Sequence, residues 1–301
     1  MNDTHYTALT DRGILSVSGA DSLAFLQGIV TNDIKKVSES CAIYAAILTP
    51  QGKYLHDFFV VKFGDNFLLD CAANQLCELT KRLMMYRLRA KVDVEDQSAD
   101  FSIFAITGLN ILSFAGLTAA PGNAIDYGEG IAFVDPRLAE LGLRTIQPTT
   151  NALNLMENTG LRKGNLESYQ ASQFSFGVPD GGNSELLKQT FPLEIGFDEL
   201  NAISFEKGCY VGQEVTTRMK IRNLVKKRLV PVTFDSKAPA PGAAVKNQNK
   251  DTGQIFAANR GIGLAMIRLE TLNQALNADA ELTVEETSLR ATKPAWFQIP
   301  D

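Results

Sequence analysis

The sequence predicts an α+β protein that contains a ferredoxin-like α+β unit and ends in a small β-barrel. Three features support this fold class. Strand patterns surround one helical pattern between residues 42 and 135, in the order of a split βαβ unit. Short strand patterns separated by Gly and Pro turns follow residue 228. The length of 301 residues and the hydrophobic content of 45% allow two or three domains with buried cores.

The first elements are a strand, a helix and a polar turn. GILSVS at 13–18 alternates as a strand does, and SGADSLAFLQG at 18–28 has the spacing of a capped helix that ends at Gly28. The turn VTNDI follows and contains Asn32 and Asp33. An Asx turn explains these two residues from local sequence alone, and a place beside a ligand is the alternative.

The ferredoxin-like unit is predicted from several strands around one helix. Strands are expected at 42–48, 56–63, 66–72, 91–96, 101–107 and 131–135. Gly64-Asp65 joins two of them as a hairpin turn. Asn74 begins a helix that runs to about Arg87, with leucines at helical spacing. Asp57 lies among apolar strand residues, either as a buried paired carboxylate or at an exposed edge.

A basic run lies between the central segment and the barrel. RMKIRNLVKKR at 218–228 contains six basic residues and no acidic one, namely Arg218, Lys220, Arg222, Lys226, Lys227 and Arg228. A solvated basic face is the more common explanation of such a run. The alternatives are a surface for an acidic partner, for the polyglutamate tail of a ligand or for RNA.

Composition limits the classes of function. The formal net charge of −5 argues against a general nucleic-acid-binding surface, so no direct nucleic-acid partner is expected. The two histidines, His5 and His56, supply neither a His-rich metal site nor a Ser-His-Asp triad. The four cysteines form no CxxC pair, which suits a reducing compartment.

The sequence also predicts location. Residues 1–13 are polar and lack the apolar segment of a signal peptide, and no apolar run is long enough to span a bilayer. We therefore expect a cytoplasmic protein that binds no membrane, and we expect a monomer.

EKGCYVGQE at 206–214 gives one cysteine a distinctive chemical context. If a helix begins near Gly212, Cys209 lies just ahead of its N-terminus, where free N–H groups favour a thiolate. Lys207 would add positive charge, and Gly208 would let the backbone turn sharply. A buried, inert cysteine in a tight turn explains the same spacing equally well. The other cysteines, Cys41, Cys71 and Cys77, lie in apolar patterns and are predicted to be small buried residues.

KGCYVGQE at 207–214 resembles the signature of the YgfZ family, K-G-C-[YF]-x-G-Q-E, at every position. LQGIVTNDI at 26–34 and LTPQGKYLHDFFV at 48–60 resemble two further segments of that family. The resemblance extends over most of the chain through three more segments, GVPDG (177–181), FPLEIGFDEL (191–200) and GLAMIRLE (263–270).

The resemblance implies the fold of the glycine cleavage T-protein, an aminomethyltransferase, with three subdomains around a central tunnel that can hold tetrahydrofolate. The boundaries expected from it are 1–40 with 136–226 for the first, folate-binding subdomain, 41–135 for the ferredoxin-like unit and 227–301 for the barrel. It also implies a function, because family members support iron–sulfur enzymes, including radical-SAM enzymes that modify tRNA.

The resemblance implies two groups of site residues. Cys209 is the functional thiol, as a redox-active nucleophile or a transient ligand of an iron–sulfur cluster, and Lys207 assists it. The motif around them is supported by Gly208, Tyr210, Gly212, Gln213, Glu214 and Arg218. The expected folate contacts are Arg12, Asn32, Asp33 and Tyr169. One cysteine cannot enclose a stable cluster, so other thiols must come from a partner, and no certain metal site is expected.

Two positions separate this chain from true aminomethyltransferases. Where those enzymes have a catalytic aspartate and a pterin-reading glutamate, this chain has Glu78 and Ser175. We therefore predict a folate-binding accessory factor for assembly or repair of iron–sulfur clusters, with iron–sulfur client or assembly proteins as partners. A tetrahydrofolate-dependent one-carbon transferase is the alternative, and a non-catalytic folate-binding scaffold is a third hypothesis.

Overall fold

The computed structural model describes residues 4–108, 116–179, 184–235, 237–277 and 281–298. The chain forms two compact units. Unit 1 consists of Met1–Thr49, Leu55–Tyr169 and Asn201–Val211, and unit 2 consists of Pro50–Tyr54, Gln170–Leu200 and Gly212–Asp301. In the described part of the chain, no helix is both long enough and apolar enough to cross a membrane.

Strands and helices alternate irregularly ahead of the barrel, as in an α+β protein. The strands are β1 His5–Ala8, β2 Arg12–Ser18, β3 Ile43–Leu48, β4 Tyr54–Phe63, β5 Asn66–Ala72, β6 Asp93–Asp96, β7 Phe101–Thr107, β8 Ala124–Tyr127, β9 Gly130–Val134, β10 Leu143–Pro148 and β11 Arg162–Lys163. The helices of the whole described chain are α1 Ser22–Ile29, α2 Leu76–Arg87, α3 Thr149–Glu157, α4 Leu166–Ser175, α5 Ser184–Leu187, α6 Gln213–Ile221 and α7 Leu269–Leu276.

A five-stranded sheet in the order β3-β4-β5-β2-β6 forms the first layer of unit 1. The hairpin between β4 and β5 turns at Gly64, which has a left-handed φ of 56° as the Gly-Asp pair predicts. Helices α1 and α2 cover this sheet with apolar side chains at helical spacing, among them Leu26, Leu79 and Leu83. Nearly all residues of β2, β3, β4 and β5 are buried, so both faces of these strands are covered and the alternation predicted for 13–18 is not reflected in burial.

The two helix starts differ from the sequence prediction. The N-cap of α1 is Asp21, and its carboxylate accepts from the backbone N–H of Lys91 at 2.7 Å, so no capping box forms. Helix α1 also continues past Gly28 to Ile29. Helix α2 begins at Leu76, because residues 73–75 form a 3-10 turn first. At α1, a tertiary hydrogen bond of Asp21 takes the place of the cap that the sequence suggested.

A second sheet of unit 1 has the order β11-β1-β7-β10-β9-β8. Helix α3 packs on it through Ala152 and Met156, which join Tyr6, Phe104 and other apolar residues in one core. The two sheets interleave along the chain, since β1 belongs to the second sheet and β2 to the first. The subdomain boundaries expected from the sequence remain a prediction.

A closed barrel in unit 2 confirms the predicted C-terminal β-barrel. Its order is β12-β15-β14-β13-β16-β17. The strands are β12 Lys227–Thr233, β13 Ala244–Asn247, β14 Lys250–Asn259, β15 Ile262–Arg268, β16 Leu282–Val284 and β17 Thr287–Ala291. Closure leaves no free sheet edge, and the interior is filled by residues such as Val230, Ile255 and Ile267.

Candidate thiol site

Cys209 lies exposed between two buried side chains of unit 1. Lys207 and Tyr210 are each 7% exposed, whereas Gly208 and Cys209 between them face solvent. The Nζ of Lys207 lies 5.2 Å from the centroid of the Tyr210 ring. Cys209 is therefore not the buried cysteine of the alternative interpretation, and its reactivity remains a prediction. The thiol projects from a two-residue segment that is anchored on each side.

The remaining cysteines differ in exposure. Cys71 is buried, as predicted, and burial raises its pKa to about 12. Cys41 is half-buried, and Cys77 is exposed on α2, contrary to the prediction that both are buried. Leu79 and Leu83 face the core from α2, and Cys77 does not share their face.

Lys207 directs its ammonium group into the backbone of the turn that follows α1. Nζ donates to the carbonyl oxygens of Val30 at 2.6 Å and Asn32 at 2.8 Å. Burial lowers the pKa of Lys207 to about 8, against the opposing attraction of Asp33. The described hydrogen bonds of this ammonium thus go to main-chain oxygens, and its assistance to the thiol remains a prediction.

Asn32 and Asp33 form the turn that receives Lys207. The Asn32 side chain donates to the carbonyl oxygens of Tyr44 and Asn201, both at 2.8 Å. Asp33 accepts from the side chain of Gln27 at 2.9 Å and from the backbone N–H of Lys35 at 3.2 Å. Asp33 therefore forms the Asx turn that the sequence predicts. Asn32 in addition connects this turn to two distant segments of the chain.

The residues of the motif that lie in unit 2 begin a helix. Gly212 is the N-cap of α6, with a left-handed φ of 85°, so the helix starts where the sequence predicts. Glu214 pairs with Arg218 one turn later along α6, and Gln213 is half-buried. The described partner of Glu214 is therefore in its own helix, not in the loop that it was expected to hold.

Gly52 lies in the segment 48–60 that resembles the YgfZ family, and it allows the PQGK turn to lie close to helix α6 within unit 2. Its φ is 76°, and a Cβ atom there would lie 2.8 Å from Cβ of Val215 and 3.3 Å from the carbonyl oxygen of Gly212. A side chain would therefore collide with the first turn of α6. The PQGK turn needs its glycine for both conformation and space.

Most of the basic run is paired with acidic residues inside unit 2. Lys220 contacts Asp198 at 2.8 Å, Arg228 contacts Glu199 at 2.8 Å, and Lys227 approaches Glu194 at 3.8 Å. Together with the Arg218 pair, these contacts account for four of the six cations. Arg228 is buried and four of the cations are paired, so the run is not simply the solvated basic face that such a pattern commonly forms.

Arg12 and Tyr169, two of the expected folate contacts, belong to one buried network. Arg12 donates from Nε to Asp70 Oδ1 and from Nη2 to the Asp70 carbonyl oxygen, both at 2.7 Å. Arg144 donates to the other carboxylate oxygen of Asp70 at 2.5 Å and to the Tyr169 hydroxyl at 3.0 Å. Asp70 thus bridges two arginines and connects the two predicted residues indirectly.

An aromatic ring packs against the same network. The guanidinium carbon of Arg144 lies 4.1 Å from the centroid of the Phe59 ring, and that of Arg137 lies 4.8 Å from it. Arg137 is paired with Asp135 at 2.8 Å. Asp57 is buried and accepts from the Tyr44 hydroxyl at 2.7 Å, so its sequence pattern marks a paired interior carboxylate.

The electrostatics of this network follow from burial and pairing. Burial alone would raise the pKa of Asp70, but the adjacent Arg12 and Arg144 hold that pKa below its ordinary value. Burial raises the pKa of the Tyr169 hydroxyl, and the nearby arginines oppose this shift. The carboxylate of Asp70 is therefore ionised and compensated inside the protein.

The four expected folate residues are engaged in internal hydrogen bonds. Arg12 and Tyr169 are occupied by the Asp70 and Arg144 network, and Tyr169 is 7% exposed. Asn32 uses its side-chain donor on two backbone carbonyls, and Asp33 caps the turn after it. These groups are used for internal structure, so no step of the function is assigned to folate through them.

A metal site is likewise not built from protein groups in the described ranges. No three His, Cys, Asp or Glu side chains there are grouped as metal ligands.

Two domain families match the chain. The GCVT N-terminal domain matches residues 8–111, and the CAF17 C-terminal beta-barrel domain matches residues 226–299. The crystal structure of glycine cleavage system aminomethyltransferase T from Bartonella henselae has the same fold, with a TM-score of 0.77 over 98% of this chain and 86% of that chain. At 13% identity this similarity shows the fold alone, and it confirms the predicted T-protein-like architecture.

Relatives named mitochondrial iron–sulfur cluster assembly factor IBA57, or its homolog, are much closer in sequence. The human protein is 31% identical over 96% of this chain and 84% of its own length. The chain belongs to the IBA57 family of iron–sulfur cluster assembly factors. The Pyricularia oryzae homolog is 30% identical over 89% of this chain and 72% of its own length. The Neurospora crassa homolog is 31% identical over 78% of this chain, which spans 55% of that relative's length.

Membership in the IBA57 family corrects one prediction. The relatives from Homo sapiens, Neurospora crassa and Pyricularia oryzae are all named mitochondrial, so the predicted cytoplasmic location is wrong and the names point to mitochondria. The prediction rested on unpaired cysteines and a polar first segment. Those properties are common to folded proteins of any compartment that keeps thiols reduced, so they do not distinguish one from another.

Sequence reasoning missed several residues that build the site. Thr31 and Ser204 bind the segment ahead of Cys209, and Asp70 and Arg144 form the centre of the buried network. Asp70 and Arg144 carried a usable signal, because each is a charged residue inside an apolar strand pattern. Thr31 and Ser204 carried none, since hydroxyl residues are common in turns.

Proposed function

We propose that the chain supports assembly of iron–sulfur clusters through the thiol of Cys209. The observation that carries the proposal is the exposed Cys209 between the buried side chains of Lys207 and Tyr210. A thiolate is the form that binds iron, and an exposed thiol on an anchored segment can reach a cluster held by another protein. Family membership supplies the class of process.

The cluster in this proposal is cargo. A [2Fe–2S] or [4Fe–4S] cluster needs about four protein ligands, and Cys209 supplies one, so the others come from a partner. The partner is therefore an iron–sulfur carrier or client protein with cysteine ligands of its own. Binding of Cys209 to iron replaces one ligand by another and leaves the oxidation state of the iron unchanged.

The identity of the client enzymes is proposed from the resemblance of 207–214 to the YgfZ signature. That resemblance supports the proposal that radical-SAM enzymes that modify tRNA are among the clients of this protein. Tetrahydrofolate is not part of the proposed mechanism, because the residues expected to contact it are engaged in internal hydrogen bonds. The supporting roles of Gly208, Tyr210 and the rest of the motif are proposed as structural.

The experiment is complementation of a strain that lacks the gene. Wild type, Cys209→Ser and Cys77→Ser are expressed at equal levels, and the activities of several iron–sulfur enzymes are measured in extracts. Wild type and Cys77→Ser are expected to restore activity, and Cys209→Ser is expected to fail. Full restoration by Cys209→Ser would exclude the thiol mechanism, and Cys77 is a matched control because it is also exposed.

A further inference from the structure

We propose that Lys207, Thr31 and Asn32 are positioning residues for the thiol. They fasten the segment 201–207 to the turn at 30–32 and thereby fix where Cys209 is presented. The inference rests on the proposed function of Cys209, and it assigns the placement of the thiol to three side chains that do not themselves contact cargo. We call these hydrogen bonds between 30–32 and 201–207 the clamp.

The turn at 30–32 is itself held by the five-stranded sheet. The backbone N–H of Thr31 donates to the carbonyl oxygen of Ala46 at 2.9 Å, and the N–H of Ala46 donates to the Thr31 hydroxyl at 2.8 Å. The Asn32 side chain donates to the carbonyl oxygen of Tyr44 at 2.8 Å. Because Tyr44 and Ala46 belong to β3, these hydrogen bonds attach the turn to a buried strand.

The same turn holds the segment that leads to the thiol. The Thr31 hydroxyl donates to the carbonyl oxygen of Ala202 at 2.6 Å, and the N–H of Ser204 donates to the carbonyl oxygen of Thr31 at 3.0 Å. Asn32 adds its bond to the carbonyl oxygen of Asn201. Thr31 is fully buried, so these bonds are shielded from competing water.

Lys207 completes the clamp two residues before the thiol. Its ammonium group is buried and donates to two neutral carbonyl oxygens, of Val30 and Asn32, and no ion pair of Lys207 occurs within the described ranges. The carboxylate of Asp33 attracts this cation without forming an ion pair, and burying a cation without a paired anion is unfavourable. If the side chain at 207 only filled space, an apolar residue would fit better there. The two hydrogen bonds that Lys207 donates therefore indicate that this side chain holds the two segments together.

The test measures the mobility of a nitroxide attached to Cys209 by electron paramagnetic resonance. The parent protein carries Cys41→Ser and Cys77→Ser, and the buried Cys71 remains as it is. Lys207→Met removes the donors with little change in length, and Thr31→Val removes the hydroxyl with little change in shape. In both variants the rotational correlation time of the label should fall at least about twofold, as expected when a segment changes from anchored to loop-like motion.

Two controls separate positioning from general loss of stability. Lys163→Met removes an exposed lysine of unit 1, and Ile267→Val weakens the barrel core. Neither should change the label spectrum. Lys207→Arg keeps donors at this position and should recover most of the parent immobility, which a role in simple space filling would not produce.

The outcomes are distinct from those of the complementation experiment. Unchanged label mobility in folded Lys207→Met and Thr31→Val overturns the clamp, and so does an equal change in Ile267→Val. If Lys207→Met does not fold, Thr31→Val and Lys207→Arg decide the matter by the same readout. The label reports no cluster chemistry, so a failure of the proposed function leaves this measurement fully informative.

Discussion

The Nζ of Lys207 lies 2.8 Å from the carbonyl oxygen of Asn32, and this contact connects two segments that are 175 residues apart in sequence. A lysine next to a reactive cysteine is usually considered for its charge. Here its described hydrogen bonds are used to join backbone segments. The consequence is a thiol whose location is fixed by the fold of unit 1, while the thiol itself remains exposed.

The glycines of the motif should differ in their tolerance of substitution. Gly212 has a left-handed φ of 85°, so Gly212→Ala should lower the free energy of unfolding by about 1–2 kcal/mol. Gly208 has no such φ, and a Cβ there would meet no described atom within 4 Å. Gly208→Ala should therefore change stability by less than about 0.5 kcal/mol in urea denaturation. Equal costs for the two substitutions would contradict the assigned backbone roles.

Asp70 should be among the residues most sensitive to substitution. Asp70→Asn leaves Arg12 and Arg144 buried without their anion, and breaking a buried ion pair costs about 3–5 kcal/mol. Chemical denaturation at neutral pH checks this value. Asp126→Asn, at an exposed position of β8, is the matched control and should stay within about 0.5 kcal/mol of wild type.

The difference in unfolding free energy between wild type and Asp70→Asn should depend on pH. The folded-state pKa of Asp70 lies below its ordinary value of 3.8, so the stabilisation by the ionised carboxylate is fully present above pH 3.8. It is lost as the pH falls through the lower folded-state pKa. The difference in unfolding free energy between wild type and Asp70→Asn should therefore shrink only in acid. A constant difference from pH 7 down to strong acid would contradict this origin.

Thiol labelling should follow the exposure of the cysteines. Cys77 and Cys209 are exposed and should react with iodoacetamide in the native protein, whereas Cys71 should react only after unfolding. The pKa of Cys71 is raised to about 12 by burial, so its thiol stays protonated in the native state at pH 8. Mass spectrometry of digested samples assigns each label. Native labelling of Cys71 at the rate of Cys77 would show that the sheet core opens readily.

Tetrahydrofolate should give no saturable heat when titrated into the protein. The prediction follows from the internal hydrogen bonds of Arg12, Tyr169 and Asn32. Calorimetry on wild type and Tyr169→Phe checks it. Saturable binding that is lost in Tyr169→Phe would restore the folate role that the resemblance implies.

The sequence predicted the fold well because hydrophobic periodicity and turn residues report local structure directly. Strands β5 and β7 occur at the predicted residues, and α6 begins after Gly212 as expected. The barrel was visible because short strands alternate with Gly and Pro turns. Helix α1 was placed less accurately, because Asp21 forms a tertiary hydrogen bond that no local pattern reveals.

The site was only half predictable for a physical reason. The signature identified Cys209 and Lys207, but a linear motif does not show which distant atoms a side chain contacts. The acceptors of Lys207 lie in the turn at 30–32, and Arg12 meets Asp70 across two paired strands. Such contacts are created by the tertiary fold, so the internal partners of Arg12 and Asn32 could not be predicted from the motifs.

The thiol of Cys209 is proposed to support iron–sulfur cluster assembly. Its most direct test is the activity of iron–sulfur enzymes in a strain that lacks the gene and expresses Cys209→Ser at the wild-type level. We expect activity near that of the empty strain, with full activity from Cys77→Ser, which removes the thiol of another exposed cysteine. Wild-type activity from folded Cys209→Ser would show that the thiol is not required.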